Sequence, residues 1–140
     1  MKLFTILAGL AIANVATAQG VSIVAPAENA TLTPGYNVSV SVTRLDSSMP
    51  VTEIGIAIGL QHCTSTCAAA ASALGSIFYS GSYNPQYGPG NPDAPTQDFS
   101  VTVPSGFQKG VALLTVAHAS LVGDGPFFFT EIANVTVDVA

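Results

Sequence analysis

Hydrophobic and polar residues alternate along several segments of the chain. The alternation is clearest in residues 36–43, 54–60, 98–103 and 134–139, and it is weaker in Val21–Ala25, 74–80 and 111–121. Successive side chains of a β-strand point to opposite faces, so each segment has one face for a core and one for solvent. The pattern predicts about seven strands, with Tyr36 and Ile54 among the core-facing residues.

Turn-forming residues separate these segments and indicate the fold class. Residues 33–36 (TPGY) fit a type II turn, and Asp124-Gly125 between two apolar runs is a hairpin signal. The one helical candidate is the alanine-rich stretch 67–73, a turn or two long. Short strands at regular spacing predict an all-β protein, an antiparallel two-sheet β-sandwich that is immunoglobulin- or fibronectin-like.

Two segments depart from the alternation. Residues 81–97 are rich in proline and glycine, so we expect a long irregular loop, and loops of this kind are usually functional or disordered. Residues 123–129 end in three consecutive phenylalanines, and at least one of these should point away from the core. Ile132 is out of phase with Val135 and Val137, which predicts a bulge near residues 131–133.

The composition excludes several classes of protein. The 140 residues are 49% hydrophobic and 8% charged, with a net charge of −5. Intrinsic disorder requires low hydrophobicity and high charge, so we expect residues 19–140 to fold as a single domain. Three Lys and Arg residues against eight Asp and Glu residues cannot neutralise a row of phosphates, which argues against nucleic-acid binding.

Residues 1–18 have the layout of a secretory signal peptide. Lys2 gives a basic start, an apolar run follows, and Ala16-Thr17-Ala18 fits an A-x-A cleavage site. This run is too short to span a membrane, and no later segment is long or apolar enough. We therefore expect a secreted, extracellular protein without a membrane span. A buried N-terminal strand or helix is the alternative.

Secretion decides how the two cysteines are interpreted. In an oxidising compartment Cys63 and Cys67 are expected to form one disulfide, which closes a very short loop. One alternative is a metal site with His62 as a third ligand, although a fourth ligand is lacking. The other is a redox pair, although the spacing differs from the usual C-x-x-C.

Three N-x-S/T sequons are predicted glycosylation sites. They begin at Asn29, Asn37 and Asn134. Asn37 and Asn134 fall on the polar phase of their predicted strands, so a glycan at either position would point away from the core.

No catalytic arrangement is recognisable in the sequence. There is no G-x-S-x-G motif, no H-E-x-x-H motif and no glycine-rich phosphate loop before a helix. His118 continues the phase of Leu114 and Val116, which places it at the edge of a core. We expect a protein that is not an enzyme and that uses no metal or cofactor. A small hydrolase with two of the eight acids as its carboxylate pair remains an open alternative.

Aromatic residues in the irregular segments favour a binding role. Tyr83 and Tyr87 lie within residues 81–97, and Phe127, Phe128 and Phe129 follow the predicted hairpin turn. Exposed aromatic side chains anchor protein partners or stack on sugar rings. The alternative for each residue is an ordinary place in the core. The absence of tryptophan counts against a sugar-stacking platform.

A succession of short motifs resembles one known family. The motifs are IGLQ at 58–61 before the two cysteines, LGSIFY at 74–79, NPQY at 84–87, FSVTVP at 99–104, VAH at 116–118 and GPF at 125–127. In this order and spacing they resemble the fungal necrosis-inducing secreted protein family, over about residues 21–139.

The resemblance implies a small secreted effector of a plant-associated fungus. It implies that the chain suppresses pattern-triggered immunity by binding receptor-associated kinases of the host, and that it provokes plant cell death. Such an effector acts by contact rather than by catalysis. Because kinase domains lie inside the host cell, this role also requires uptake after secretion, and no uptake motif is recognisable.

Two functional hypotheses follow from these observations. The first is an effector that binds a host protein through residues 123–129, together with residues 81–97. The second is an extracellular cell-wall or glycan-binding module without catalysis, which the two loop tyrosines and the low charge motivate.

Overall fold

The computed structural model describes residues 20–67 and 73–140, and all regular secondary structure within them is β-strand. The nine strands in these residues are β1 (Val21–Ala25), β2 (Thr31–Leu32), β3 (Asn37–Arg44), β4 (Val51–His62), β5 (Ser76–Gly81), β6 (Gln86–Gly88), β7 (Asn91–Thr102), β8 (Gly110–Val122) and β9 (Phe127–Val139). The predicted signal peptide and most of the helical candidate at 67–73 lie outside the described residues. Within the described part of the chain, no helix is long and apolar enough to cross a membrane.

The strands form two sheets. One contains four antiparallel strands in the order β1-β3-β7-β6. The other contains five strands in the order β2-β9-β8-β4-β5, in which β2 runs parallel to β9 and the other pairs are antiparallel. The predicted all-β sandwich is confirmed. Its strand order corresponds to that of immunoglobulin domains, in which strands A, B, E and D face strands G, F and C.

Residues 81–97 differ from the long irregular loop that the sequence predicts. They contain β6 and the first half of β7, which pair with each other as a hairpin. Pro92 and Pro95 lie within β7, but β7 pairs with β3 only from Thr96 onwards. The missing N–H groups of the prolines therefore cost no hydrogen bond to β3. β2 and β6 are so short that they contain no recognisable alternating pattern. The described residues therefore contain nine strands, whereas about seven were predicted.

The core lies between the two sheets and is formed by alternate residues of the long strands. Its deeply buried members include Val40, Val42, Ile58, Leu60, Leu114, Val116, Val137 and Val139. Removal of this apolar surface from water is the main favourable contribution to folding. Tyr36 was expected among these residues, but it is 69% exposed because β3 begins after it, at Asn37.

A β-bulge near the start of β4 reverses the alternation there. Glu53 pairs with Ser120 and Gly55 pairs with Ala119, so Ile54 is an extra residue between the two pairs. The bulge turns Ile54 outward, where it is 51% exposed, and turns Glu53 towards the core. The prediction that Ile54 faces the core is therefore wrong.

β9 contains no such bulge, and the prediction of one near residues 131–133 is wrong. The pairing of β9 with β8 is continuous along the full length of both strands. Ile132 points outward, and its neighbour Glu131 points to the core side. Together with Glu53, this brings two carboxylates to the inner face of the five-stranded sheet.

The connection between β4 and β5 approaches the outer face of the five-stranded sheet very closely at Gly59. A Cβ atom at this position would overlap the carbonyl oxygen of Leu74 and would lie 2.8 Å from its carbonyl carbon. The same connection contains the predicted disulfide between Cys63 and Cys67, whose Cα atoms are 5.1 Å apart. Only glycine at position 59 allows the backbone of Leu74 to come this close.

Candidate functional site

The turn between β8 and β9 presents two exposed phenylalanines. Phe127 is 74% exposed and Phe128 is 69% exposed, whereas Phe129 is partly buried on the inner phase of β9. Gly123 has a positive φ of 86°, and its N–H donates to the carbonyl oxygen of Pro50 at 2.9 Å. This hydrogen bond fastens the turn to the loop between β3 and β4. We refer to residues 123–129 as the aromatic hairpin.

A groove of about 780 Å³ lies on the outer face of the five-stranded sheet. Its lining includes five residues with no side chain or only a methyl group, together with larger residues at the rim. The five small residues are Gly55, Ala57, Gly81, Ala117 and Ala119, and the largest apolar residues at the rim are Ile54 and Ile132. The pairing of β4 with β8 places alanine opposite alanine and glycine opposite alanine, which creates the depression. We refer to it as the small-residue groove.

The small-residue groove and Phe128 of the aromatic hairpin lie on the same face of the sheet, whereas Phe127 is on the inward phase of β9 with Phe129. Phe128 lies opposite Leu121, and its side chain shares the outer face of the sheet with Ala119 and Ile132 further along the two strands. Single exposed apolar residues are normal on protein surfaces, but a contiguous apolar patch marks an interaction site. This end of the outer face is therefore the best candidate for binding a partner.

One exposed carboxylate lies in the aromatic hairpin and another lies in the loop that the hairpin contacts. Asp124 lies within the hairpin, and Asp46 lies in the loop between β3 and β4 to which the hairpin is fastened. The hydroxyl group of Tyr87 donates to Asp46 Oδ1 at 2.9 Å, and this hydrogen bond raises the pKa of Tyr87. Tyr87 is exposed, so its ring remains accessible beside Asp46.

A buried polar cluster occupies the core side of the same strands. His118 Nδ1 lies 3.0 Å from Glu131 Oε1, and His118 Nε2 bonds to Glu53 Oε2. Glu53 Oε1 lies 3.1 Å from Arg44 Nε. The N–H of Val21 donates to Glu131 Oε1 at 2.8 Å. These contacts connect β1, β3, β4, β8 and β9 at the end of the sandwich that carries the aromatic hairpin.

The two carboxylates determine the protonation state of His118. Burial alone lowers the pKa of a histidine, but the hydrogen bonds to Glu131 and Glu53 and the charges of these residues outweigh burial and raise the pKa of His118 to about 9. At neutral pH the imidazole is therefore positively charged and both ring N–H groups donate to carboxylates. With Arg44, the cluster holds two positive and two negative charges, so its net charge is zero.

Comparison with known families identifies the chain. A profile of the Nis1 family matches residues 16–138, which cover the structure from β1 to the penultimate residue of β9. The chain belongs to the Nis1 family. This confirms the resemblance to fungal necrosis-inducing secreted proteins. No curated protein matches the chain in a sequence comparison. Nis1 effectors are secreted proteins, which agrees with the predicted extracellular location.

Of the aromatic residues predicted to contact a partner, three are exposed and one is fully buried. Tyr87 and the first two phenylalanines of the hairpin are accessible, but Tyr83 is only 3% exposed. The hydroxyl group of Tyr83 donates to the carbonyl oxygen of Val42 at 3.0 Å, and its ring packs against Phe99 and His118. Burial raises the pKa of Tyr83. The prediction that Tyr83 contacts a partner is therefore wrong, because its ring is part of the core.

Sequence reasoning did not find the small-residue groove or the buried cluster. The groove had a weak signal, because Gly55 and Ala57 occupy the polar phase of β4 without being polar. The cluster had a partial signal, because His118 is in phase with Val116 and Glu131 is in phase with Val135, whereas Glu53 enters the core only through a bulge.

The metal-site alternative at Cys63 and Cys67 is wrong, since both cysteines are in a disulfide. His62, the third ligand in that alternative, has its Nε2 3.1 Å from the carbonyl oxygen of Lys109 instead. Within residues 20–67 and 73–140, no group of three or more His, Cys, Asp or Glu side chains is placed to hold a metal ion.

The three sequons of the Nis1 chain lie away from the aromatic hairpin. Asn29, Asn37 and Asn134 are all exposed. The N–H of Asn29 donates to the carbonyl oxygen of Thr136 at 2.7 Å, near the end of β9, and Asn37 begins β3 at the same end of the sandwich. Asn134 lies on the outer face of β9, two residues beyond Ile132. Glycosylation stays a prediction, and glycans at these positions would leave the aromatic hairpin uncovered.

Proposed function

We propose that this Nis1 protein is a secreted effector that binds a host protein, with the aromatic hairpin as the main contact. In this proposal, binding to receptor-associated kinases of the host suppresses pattern-triggered immunity and provokes plant cell death. The observation that supports it is the pair Phe127 and Phe128, two large apolar side chains that stand exposed on a fastened turn. Uptake into the host cell after secretion is part of the proposal.

When a partner covers two exposed phenylalanines, the burial of their side chains lowers the free energy of the complex. Burial of one phenylalanine side chain contributes about 1.5–3 kcal/mol. A few aromatic residues near the centre of an interface commonly supply most of its binding energy. We therefore expect Phe127→Ala and Phe128→Ala each to weaken binding by about 2 kcal/mol, which is about 30-fold.

The proposed activity involves contact and neither catalysis nor a cofactor. A general base needs a nitrogen or oxygen atom within reach of its substrate. His118 is buried, and both of its ring nitrogens are bonded to carboxylates. Glu53 and Glu131 bind the same imidazole rather than facing each other across an open cleft. This arrangement favours a structural role for the cluster over the hydrolase alternative.

The test is a pull-down of receptor-associated kinases with the mature wild-type chain and with Phe127→Ala and Phe128→Ala. Tyr36→Ala is the matched control, because Tyr36 is also 69% exposed but lies at the opposite end of the sandwich. We expect the control to bind like the wild type and the two hairpin variants to bind about 30-fold more weakly. Failure of the wild type to bind at micromolar concentration would count against the proposal, as would an equal loss in Tyr36→Ala.

A cell-wall or glycan-binding module is the second candidate function. The exposed ring of Tyr87 beside Asp46 favours it, because an aromatic face and a carboxylate together can hold a sugar. The burial of Tyr83 leaves this loop with one accessible tyrosine instead of two. Co-sedimentation with chitin, glucan and cellulose tests this function, and Tyr87→Ala should abolish any retention. Retention on none of the three polymers would exclude it.

A further inference from the structure

The oxidisable sulfur of the mature Nis1 chain is concentrated at Met49. The sequence contains two methionines and two cysteines, and Met1 lies in the predicted signal peptide. Cys63 and Cys67 form a disulfide, so neither of them presents a free thiol. Once the signal peptide is removed, the thioether of Met49 is therefore the sulfur that a mild oxidant converts to a new polar group.

Met49 is accessible, and its sulfur atom lies beside the aromatic hairpin. The residue is 47% exposed. A Cβ atom at Gly123 would lie 4.0 Å from Met49 Sδ and 4.0 Å from Phe127 Cδ2. The sulfur and the phenylalanine ring therefore flank Gly123, and no side chain at position 123 stands between them.

Hydrogen bonds hold the backbone around Met49 next to the hairpin. The N–H of Met49 donates to the hydroxyl oxygen of Ser47 at 3.1 Å. The carbonyl oxygen of the following residue, Pro50, accepts the N–H of Gly123 at 2.9 Å. Because the loop and the hairpin are joined at this point, a partner that covers the ring of Phe127 also meets the side chain of Met49.

Oxidation of Met49 would change the chemistry of this surface. Hydrogen peroxide transfers one oxygen atom to Sδ: the O–O bond of the peroxide breaks, an S–O bond forms and water leaves. The sulfur is oxidised and the peroxide is reduced. The thioether is apolar, whereas the sulfoxide is polar and accepts hydrogen bonds. A polar group that a partner covers without a hydrogen bond costs free energy, so the oxidised surface binds more weakly.

We propose that Met49 is a modification site, at which oxidation by a peroxide to methionine sulfoxide switches off partner binding by the aromatic hairpin. This inference rests on the proposed function, and it adds a contact residue and a redox control to the same surface. The control is reversible, because methionine sulfoxide reductases return the sulfoxide to the thioether.

The test compares the mature wild-type chain with Met49→Leu, and each protein is compared with itself before and after treatment with hydrogen peroxide. Leucine has a similar apolar volume but no sulfur to oxidise. Peptide mapping by mass spectrometry locates the added oxygen, and urea unfolding compares the stability of treated and untreated chains. A titrated pull-down measures the affinity for receptor-associated kinases.

We expect the added oxygen to map to Met49 in the wild type. Peroxide should weaken kinase binding by the wild type at least about tenfold, and it should leave Met49→Leu at its own untreated affinity. The stability in urea should not change. Reductases for both sulfoxide epimers should restore the affinity of the treated wild type, with an unoxidised chain that receives the same reductant as the control.

Four results would overturn the inference. They are the absence of added oxygen on Met49, an unchanged affinity of the fully oxidised wild type, an equal loss of affinity in Met49→Leu, and a loss that comes with unfolding or that the reductases do not reverse. If the oxidised wild type retains its affinity while Phe127→Ala loses the kinase, the proposed function stands and the redox control fails. If the untreated wild type binds no kinase, the proposed function fails and this inference fails with it.

Discussion

The buried cluster around His118 makes the stability of this Nis1 protein depend on pH. The pKa of His118 is about 9 in the folded protein, against 6.5 for an unperturbed histidine. Because the folded pKa is the higher one, the protonated imidazole stabilises the fold. This stabilisation is complete below pH 6.5 and is lost as the pH rises to about 9. At about 1.4 kcal/mol per pH unit, the loss over this interval is about 3 kcal/mol.

Glu131→Gln tests whether the carboxylates are the cause. The substitution retains the size of the side chain and an oxygen that accepts the N–H of Val21, but it removes the negative charge beside His118. The pKa of His118 should fall, so the dependence of stability on pH should become weaker. Near pH 6 the variant should be less stable by about 2 kcal/mol, because it loses a hydrogen bond between charged groups.

Asp138→Asn is the matched control for this experiment. It also replaces a carboxylate of β9 by an amide, but Asp138 is exposed and lies outside the cluster. Urea unfolding of the three proteins is followed by far-UV circular dichroism, since the chain has no tryptophan. The free energy of unfolding should fall by about 3 kcal/mol from about pH 6 to pH 9 for wild type and Asp138→Asn, and by less than half of this for Glu131→Gln.

Two results would refute the reasoning. The first is a wild-type free energy of unfolding that does not change between about pH 6 and pH 9. The second is a pH dependence of Glu131→Gln that equals that of Asp138→Asn. Either result would mean that the imidazole is not held in its charged form by the two carboxylates.

Three further predictions concern the fold. Gly59→Ala should lower the free energy of unfolding by about 1–3 kcal/mol in urea titrations, because the new methyl group meets backbone, whereas Gly90→Ala has open space and should have little effect. Leu114→Ala should lower the free energy of unfolding by about 2–5 kcal/mol, because it leaves a cavity in the fully buried core. A lower Tm would show this effect. Replacement of both Cys63 and Cys67 by serine should lower the free energy of unfolding by about 2 kcal/mol, which is the contribution expected of a very short closed loop. The circular dichroism spectrum should not change.

The candidate site was predictable from sequence only in part, and the reason differs between residues. Phe127 and Phe128 were found because three consecutive phenylalanines cannot all face one core. Tyr83 was misassigned because its proline- and glycine-rich surroundings are typical of an exposed loop, although its ring fills the core beside Phe99. The small-residue groove had only a weak signal in the sequence, because it exists only when Ala57 lies opposite a small residue of β8.

Local sequence patterns were sufficient to predict the all-β sandwich, most of the inward-facing residues of the long strands and the pairing of the two cysteines. These properties are local, because they depend on the alternation within one segment or on two nearby residues. The bulge at Ile54 and the sheet pairing that builds the groove became evident from the tertiary structure and not from any local pattern. Register and bulges are set by contacts between segments far apart in the chain. A shift of one residue turns every side chain of a strand to the other face, and no local pattern specifies it.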